Sequence, residues 1–211
     1  MNNEISIYIE LIKGIYSRLE FALKYLEQYS KTRSVNELES SILQMRKAFE
    51  SLAFSSIAAN KSVYAKLRGN ASKNSDFSKD YNAKLIIKDI EKVNPQFYPI
   101  ALNQPEMLNG MINFPQKTNG FLKREKFERI YERMGKYLHA DNPWSSDKQI
   151  ESFSREISTI VNELKHLLER HVCFLSYSKE TKIWIVEILD IDNIIFHEAG
   201  GRGGCYIKRV G

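Results

Sequence analysis

Apolar residues recur every three or four positions along most of the chain, which predicts a mainly helical protein. Over residues 5–26 this spacing is typical of one long amphipathic helix, and a polar break at residues 30–34 separates it from a second. Two long helices with so short a connection are expected to form an antiparallel hairpin. The helices predicted after the first cover residues 34–57, 83–93, 121–138 and 145–168.

Two stretches interrupt this helical pattern. Residues 69–82 are polar and poor in apolar side chains, which predicts a mobile loop. Residues 95–115 contain four of the five prolines and predict a long irregular connection. A connection of this length forms a wall over a functional site, hides short elements of secondary structure, or is an insertion without chemistry.

From His171 onward the apolar period changes from 3.6 to 2, which predicts an antiparallel meander. So small a sheet would not be stable alone, so we expect it to pack on the helices or to pair with another subunit. The glycine-rich residues 200–204 predict a flexible hairpin loop, and their spacing is not that of a phosphate-binding fingerprint. The predicted strands cover residues 172–178, 182–189, 193–197 and 204–209.

The expected fold class is therefore mainly α: an up-and-down helical bundle over residues 1–171, followed by a C-terminal antiparallel β-meander over residues 172–211. Arg46, Lys47 and Glu50 lie off the apolar stripe of the second helix, and we interpret them as solvated surface.

Composition narrows the functional classes only slightly. The net charge of +5 and a pI near 9.0 permit a nucleic-acid partner without requiring one. Cys173 and Cys205 form no CxxC pair and the four histidines form no ligand cluster, so we expect neither a metal site nor a cofactor. No apolar run approaches the roughly 18 residues of a membrane helix, and the first five residues lack the basic n-region typical of a signal peptide, so we expect a cytoplasmic protein without membrane contact.

The stretch with the most promising chemistry is residues 128–144, an amphipathic helix that ends before Asn142 and Pro143. It contains Arg133 and, six residues later, His139. Arg133 has no carboxylate three or four residues away, unlike Arg129 and Lys136 on the same helix. Arg133 therefore either offers its guanidinium to an anion such as phosphate, faces water, or pairs with a carboxylate elsewhere in the fold.

Helical geometry complicates a joint site for Arg133 and His139. A separation of six residues places two side chains roughly 120° apart around a regular helix. The pair would converge if the helix loosened near Gly135 or His139, or if a ligand lay between the two side chains. A composite site across a symmetric dimer is a further solution.

The arginine, five residues and histidine near the end of an amphipathic helix resemble the motif of the HEPN superfamily. The ending Leu-His-Ala-Asp-Asn-Pro-Trp over residues 138–144 is similar to that of a branch of bacterial HEPN proteins and is more specific than the arginine and histidine alone. The resemblance covers about residues 1–171. It implies a helical fold and, for many members, metal-independent endoribonuclease activity in toxin–antitoxin, abortive-infection and antiviral systems.

By motif position, the resemblance implies that His139 is the general acid or base and that Arg133 holds the scissile phosphate. It further implies a homodimer with both motifs at the interface, an RNA substrate, products with a 2′,3′-cyclic phosphate and a 5′-hydroxyl, and a possible antitoxin or defence-system partner protein. The side chains that we expect to contact substrate or orient the site are Arg129, Lys136, Tyr137 and Asn142.

An alternative hypothesis is a non-catalytic HEPN-like helical module that dimerises and binds a protein partner, a nucleotide or RNA. Met134 favours this alternative because it follows the arginine where active members often have a polar residue. Residues 138–144 would then be a structural corner, with Asn142 capping the turn and Trp144 packing beneath it.

Overall fold

The structure is a computed structural model that describes residues 3–69, 76–140, 144, 149–175, 181–201 and 206–209. It confirms a mainly helical chain followed by an antiparallel sheet at its C-terminal end. The helices of the described residues are α1 (Asn3–Thr32), α2 (Val35–Gly69), α3 (Ala83–Val93), α4 (Arg124–Tyr137) and α5 (Ile150–Leu168), with a short 3-10 helix at Phe77–Lys79. The strands are β1 (Ile100–Ala101), β2 (Glu106–Leu108), β3 (Met111–Asn113), β4 (Arg170–Phe174), β5 (Thr181–Ile188), β6 (Ile194–Gly201) and β7 (Tyr206–Arg209).

α1 and α2 form the expected helical hairpin and pack along each other, and each buries an apolar stripe in the main core. A two-residue link joins them. Arg33 adopts φ 58°, and its amide donates to the Tyr29 carbonyl oxygen at 2.9 Å, a left-handed arrangement that ends α1 abruptly. This tight ending reverses the chain so that α2 runs back along α1.

α2 is kinked at Asn60, whose φ of −125° and ψ of 21° are not helical. The Asn60 side chain is buried, donates to the Ser56 carbonyl oxygen at 3.0 Å and accepts from the Asn94 amide at 2.7 Å. Asn94 Nδ2 also donates to the carbonyl oxygen of Phe174 at 2.7 Å. These bonds satisfy the polar atoms at the kink and join α2 to the end of α3 and to β4.

α3 begins and ends where the sequence predicts. Asn82 has extended backbone geometry, and its side-chain oxygen accepts from the amides of Lys84 at 3.1 Å and Leu85 at 3.3 Å. This is the arrangement of an N-cap, because it satisfies amides that have no partner within the helix.

We expect Asn82→Ala to lower the free energy of unfolding by about 1 kcal/mol through loss of this cap. Urea denaturation followed by circular dichroism would measure the change, and Asn82→Asp, which retains an acceptor oxygen, is the matched control. Equal destabilisation by both substitutions would contradict a capping role.

The proline-rich connection contains short strands, which is one of the three alternatives left open by the sequence. β1 joins the edge of a five-stranded sheet of order β1-β4-β5-β6-β7, and β2 and β3 form a separate hairpin. Its turn places Asn109 at φ 53° and Gly110 at φ 77°, the left-handed pair typical of tight hairpins. The two strands of this hairpin expose the apolar side chains of Met107, Leu108, Met111 and Ile112.

The five-stranded sheet packs on the helices, which was one of the two arrangements expected from the sequence. Tyr8 of α1 lies with its ring centroid 5.5 Å from that of Trp184 on β5 and 6.5 Å from that of Phe196 on β6. α5 packs on β1, β4 and β5. Most of the buried side chains of helices and sheet therefore belong to one continuous core.

Two local predictions about the C-terminal sheet were wrong. β6 continues through Ala199 to Gly201, in register with β5, where the glycines predicted a loop; residues 202–205 lie outside the described part of the chain. The pairing of β4 begins at Arg170, two residues before the predicted start of the first strand at residue 172. Of residues 69–82, predicted as a mobile loop, residues 70–75 lie outside the described part, and Phe77–Lys79 form the short 3-10 helix. None of the helices in the described residues has the length and apolar character needed to span a bilayer.

Candidate functional site at the C-terminal end of α4

α4 lies between α2 and α5 and carries the predicted motif. Its inner side buries Phe127, Ile130, Tyr131 and Met134. The Leu138 amide still donates to the Met134 carbonyl oxygen at 3.2 Å, so the helical bonding is intact past Gly135. One of the ways in which Arg133 and His139 could converge, a loosening at Gly135, is therefore not observed. His139 follows immediately after the last helical bond and is exposed.

Arg133 pairs with a carboxylate on the next helix. Its two terminal nitrogens donate to the two oxygens of Glu156 on α5, each at 2.8 Å, and its guanidinium lies 4.8 Å from the ring centroid of Phe153. The Glu156 bond raises the pKa of Arg133, and the Arg133 bond lowers the pKa of Glu156. The alternative in which Arg133 finds a carboxylate elsewhere in the fold is thus the one observed.

This pair belongs to a series of opposite charges between α4 and α5. Lys126 Nζ lies 2.6 Å from a carboxylate oxygen of Glu163. Arg129 is exposed, and its positive charge also helps to lower the pKa of Glu156. The Arg133 and Glu156 side chains remain 31% and 46% exposed, so we assign their bond no more than about 1 kcal/mol of stability.

The other predicted site residues have different surroundings. Tyr137 is buried with its ring centroid 5.0 Å from that of Phe153, and its hydroxyl oxygen accepts from Arg133 at 3.5 Å. Lys136 is exposed and contributes, after Lys84, to the lowered pKa of Glu132. Asn142 lies outside the described residues.

Trp144 does not pack beneath a structural corner. Its side chain is 92% exposed, so that part of the alternative hypothesis was wrong. His139 is likewise exposed rather than enclosed by protein, and an exposed imidazole can meet a ligand from solution.

Arg46 and Glu50, interpreted from sequence as solvated surface, instead form a half-buried network with α4. Arg46 lies 4.1 Å from the Tyr131 ring centroid and donates to the hydroxyl of Tyr131 at 2.8 Å and to its carbonyl oxygen at 3.2 Å. The Tyr131 hydroxyl donates to Glu50 at 3.0 Å, and Arg46 Nε lies 3.3 Å from the same oxygen. Burial, together with the Glu50 carboxylate, raises the pKa of Tyr131. Sequence offered no signal for this network, because Arg46 and Tyr131 are 85 positions apart.

Gly135 explains how Arg46 comes so close to α4. A Cβ atom at this position would lie 2.8 Å from Arg46 Nη1, closer than such contacts occur. Glycine within a helix costs about 1 kcal/mol relative to alanine. The absence of a side chain at Gly135 leaves room for the guanidinium of Arg46.

Sequence also missed a buried polar cluster between α1 and the sheet. The Tyr8 hydroxyl lies 2.6 Å from His171 Nε2 and 3.2 Å from Cys173 Sγ, and His171 Nδ1 lies 2.9 Å from the Leu168 carbonyl oxygen. A carbonyl only accepts, so Nδ1 carries the proton and Nε2 accepts from Tyr8. Burial lowers the pKa of His171 to about 4 and raises the pKa of Cys173 to about 12. All three groups are therefore neutral at physiological pH.

A pocket of about 680 Å³ lies between the end of α2 and the start of α3. Its charged groups bond to one another, since Arg68 donates to Asp80 at 2.8 Å and lies 3.6 Å from Asp89. Tyr64 also donates to Asp80 at 2.8 Å. The charged groups that line this pocket therefore neutralise one another, and its wall is polar without an excess of positive charge.

Comparisons with known proteins add no relative: no family model matches the chain, and no curated protein or solved structure gives a significant match. Among the described residues, no three side chains of the histidine, cysteine and carboxylate types lie together as a metal site would require. The chemistry proposed for the chain consequently rests on the geometry around α4.

Proposed function

We propose that this chain is a metal-independent endoribonuclease of the HEPN type, acting as a homodimer in a toxin or antiviral defence role. The observation that carries the proposal is the exposed position of His139, directly after the last helical bond of α4. An imidazole there can reach a substrate from solution. The adjoining part of α4 carries the cationic side chains of Arg129, Arg133 and Lys136, which suits a phosphate backbone.

In the proposed reaction the ribose 2′-oxygen attacks the adjacent phosphorus while the bond to the 5′-oxygen breaks. His139 takes the 2′-hydroxyl proton as general base or supplies a proton to the leaving oxygen as general acid. In a dimer, the His139 of each subunit can complete the site of the other, so that one histidine serves in each role. A cation beside the phosphate stabilises the charge that develops on its oxygens. The products are a 2′,3′-cyclic phosphate and a 5′-hydroxyl.

We expect the purified protein to cleave mixed cellular RNA in the presence of EDTA, because no step of this mechanism needs a metal ion. Sequencing that distinguishes cyclic phosphate from other ends would identify the products. Cleavage that appears only when Mg²⁺ is added, or that leaves 5′-phosphates, would contradict the proposal. Sedimentation of the same preparation would measure whether active protein is dimeric.

A second candidate is a non-catalytic module that binds RNA, a nucleotide or a protein partner. The observation that favours it is the bidentate bond between Arg133 and Glu156, which occupies the guanidinium that a ribonuclease would direct at the phosphate. The same preparation tests this candidate: RNA binding without cleavage in EDTA or in Mg²⁺ would support it. The presence of an antitoxin or defence-system partner belongs to the first proposal and is tested by co-purification from the native cell.

A further inference from the structure

We infer that Arg46 of α2, rather than Arg133, is the arginine that holds the substrate phosphate beside His139. This inference rests on the proposed function and reassigns one of its two principal roles. The ligand class is the phosphodiester group of single-stranded RNA. Three observations carry it: the donors that each arginine has left, the close approach at Gly135, and the position of Gly135 relative to His139.

The two arginines differ in how many donors they can offer. A guanidinium has five N–H groups. Arg133 directs both terminal nitrogens at the two oxygens of Glu156, a fork that uses the geometry a phosphate would need. Arg46 directs single bonds at the carbonyl and hydroxyl of Tyr131, and its Nε at Glu50. One N–H on each terminal nitrogen of Arg46 therefore has no acceptor among the described residues.

The Arg46 guanidinium is fixed before any ligand binds. The Tyr131 ring lies against one face at 4.1 Å, and two bonds to Tyr131 set its rotation. The side chain is still 26% exposed, so a ligand can reach it. A cation held in this way loses little conformational freedom on binding phosphate, which favours affinity.

Position along α4 connects Arg46 to His139. Arg46 Nη1 occupies the space beside Gly135. His139 follows Gly135 by four residues and lies just beyond the C-cap of α4 at Leu138. The Arg133 guanidinium is instead directed toward α5, where Glu156 holds it. Arg46 thus offers a guanidinium near the C-terminal end of α4 that is not held by a bidentate carboxylate.

Glu50 is the charge that opposes this role. It contacts Arg46 through one oxygen, which also accepts from the Tyr131 hydroxyl, whereas Glu156 offers both of its oxygens to Arg133. A monodentate contact at 3.3 Å leaves more of the positive field of Arg46 available than a bidentate pair at 2.8 Å leaves of Arg133.

The test measures binding of a fluorescein-labelled 2′-O-methyl oligouridylate, which cannot be cleaved. We expect Arg46→Gln to weaken binding about tenfold, the effect of losing hydrogen bonds to a charged group. We also expect the slope of log affinity against log salt to fall by about 0.7, as for loss of one phosphate contact on a single strand. Lys47→Gln is the matched control, because it removes the same charge from the adjacent, exposed position.

Gly135→Ala is a second variant that keeps every charge and favours the helix. Its methyl group would displace the Arg46 guanidinium, so we expect weaker RNA binding without a lower melting temperature. This variant decides the question if Arg46→Gln fails to fold. Arg133→Gln should affect binding less than Arg46→Gln does.

The outcomes separate the inference from the proposed function. The inference would be overturned, even if the wild-type protein cleaves RNA, by either of two results. One is an affinity for the probe equal to that of the wild type in both Arg46→Gln and Gly135→Ala. The other is an equal loss of affinity in Arg46→Gln and Lys47→Gln. If the wild-type protein binds the probe but never cleaves RNA, a tenfold loss of affinity in Arg46→Gln alone would support Arg46 as the phosphate ligand and reject the ribonuclease. A wild-type protein that does not bind the probe would overturn the Arg46 site, while cleavage in EDTA would still test the enzyme.

Discussion

Replacement of His139 by alanine is expected to lower the rate of RNA cleavage by about 10²–10⁴-fold, which is the usual contribution of a positioned general acid or base. The protein should remain folded, because His139 is exposed and lies beyond the last helical bond of α4. Binding of the uncleavable oligouridylate should change little. The loss would then lie in the chemical step rather than in affinity, and single-turnover cleavage would measure it directly.

His166→Ala is the matched control for this substitution. His166 is also exposed, but it belongs to α5 and its Nδ1 lies 3.1 Å from the carbonyl oxygen of Gly120. We expect its cleavage rate to stay near that of the wild type. Unchanged cleavage in His139→Ala, or an equal loss in both variants, would exclude His139 as the acid or base.

Most helix boundaries could be predicted closely because their signals are local, but the prediction for α2 was wrong at its end: the helix continues through the kink at Asn60 to Gly69, beyond the predicted end at residue 57. α3 matches its prediction at both ends, since an N-cap side chain and a following proline mark the two boundaries. α4 and α5 follow from apolar spacing in the same way. Predicting the fold class required only the helical spacing of the apolar residues and its change to a period of 2 near His171.

Strand boundaries depend on pairing, which sequence does not show. Ala199 and Gly200 continue β6 because they face Ile183 and Lys182 of β5 in register, although glycine disfavours strands when considered alone. Arg170 and His171 likewise enter β4 by pairing with Glu187 and Val186. In both places the partner strand outweighed the local preference.

The candidate site could be predicted only as far as the helix that carries it. Neighbour rules for a single helix correctly find no carboxylate for Arg133, but they cannot find Glu156, which is 23 positions away on α5. The bond between Arg46 and Tyr131 spans 85 positions. Partners on other helices decide which arginine keeps donors for a ligand. The sequence therefore identified the helix that carries the motif but could not show that the fold pairs Arg133 with Glu156.

The buried cluster of Tyr8, His171 and Cys173 predicts a strong loss of stability in mild acid. Burial lowers the pKa of His171 to about 4 in the folded protein, against 6.5 for an unperturbed imidazole. As the pH falls below 6.5, the unfolded chain binds a proton that the folded chain does not. The free energy of unfolding should therefore fall by about 2 kcal/mol at pH 5 and about 3 kcal/mol at pH 4.

Urea denaturation between pH 7 and pH 5 isolates this effect. The paired carboxylates of Glu156 and Glu169 have lowered pKa values, so they stay ionised across this range and lose their contribution only at lower pH. Exposed His166 gives the matched control, and His166→Gln should retain the full acid dependence. His171→Gln should lower stability at pH 7, since the fit between Tyr8 and the Leu168 carbonyl is disturbed, but it should remove most of the slope below pH 6.5.

The acid slope distinguishes a neutral, hydrogen-bonded imidazole from one that can be protonated in place. If His171 could accept a proton while buried, its Nε2 would need an acceptor, and the group that faces Nε2 is the Tyr8 hydroxyl, which also lies 3.2 Å from the Cys173 sulfur. A hydroxyl can rotate to accept, but the buried imidazolium would still lack a carboxylate to offset its lost hydration. An equal slope in wild type and His171→Gln would show that other groups cause the acid dependence and would contradict this prediction. A slope lost with His171 would show that α1 and the sheet separate only when the whole core does.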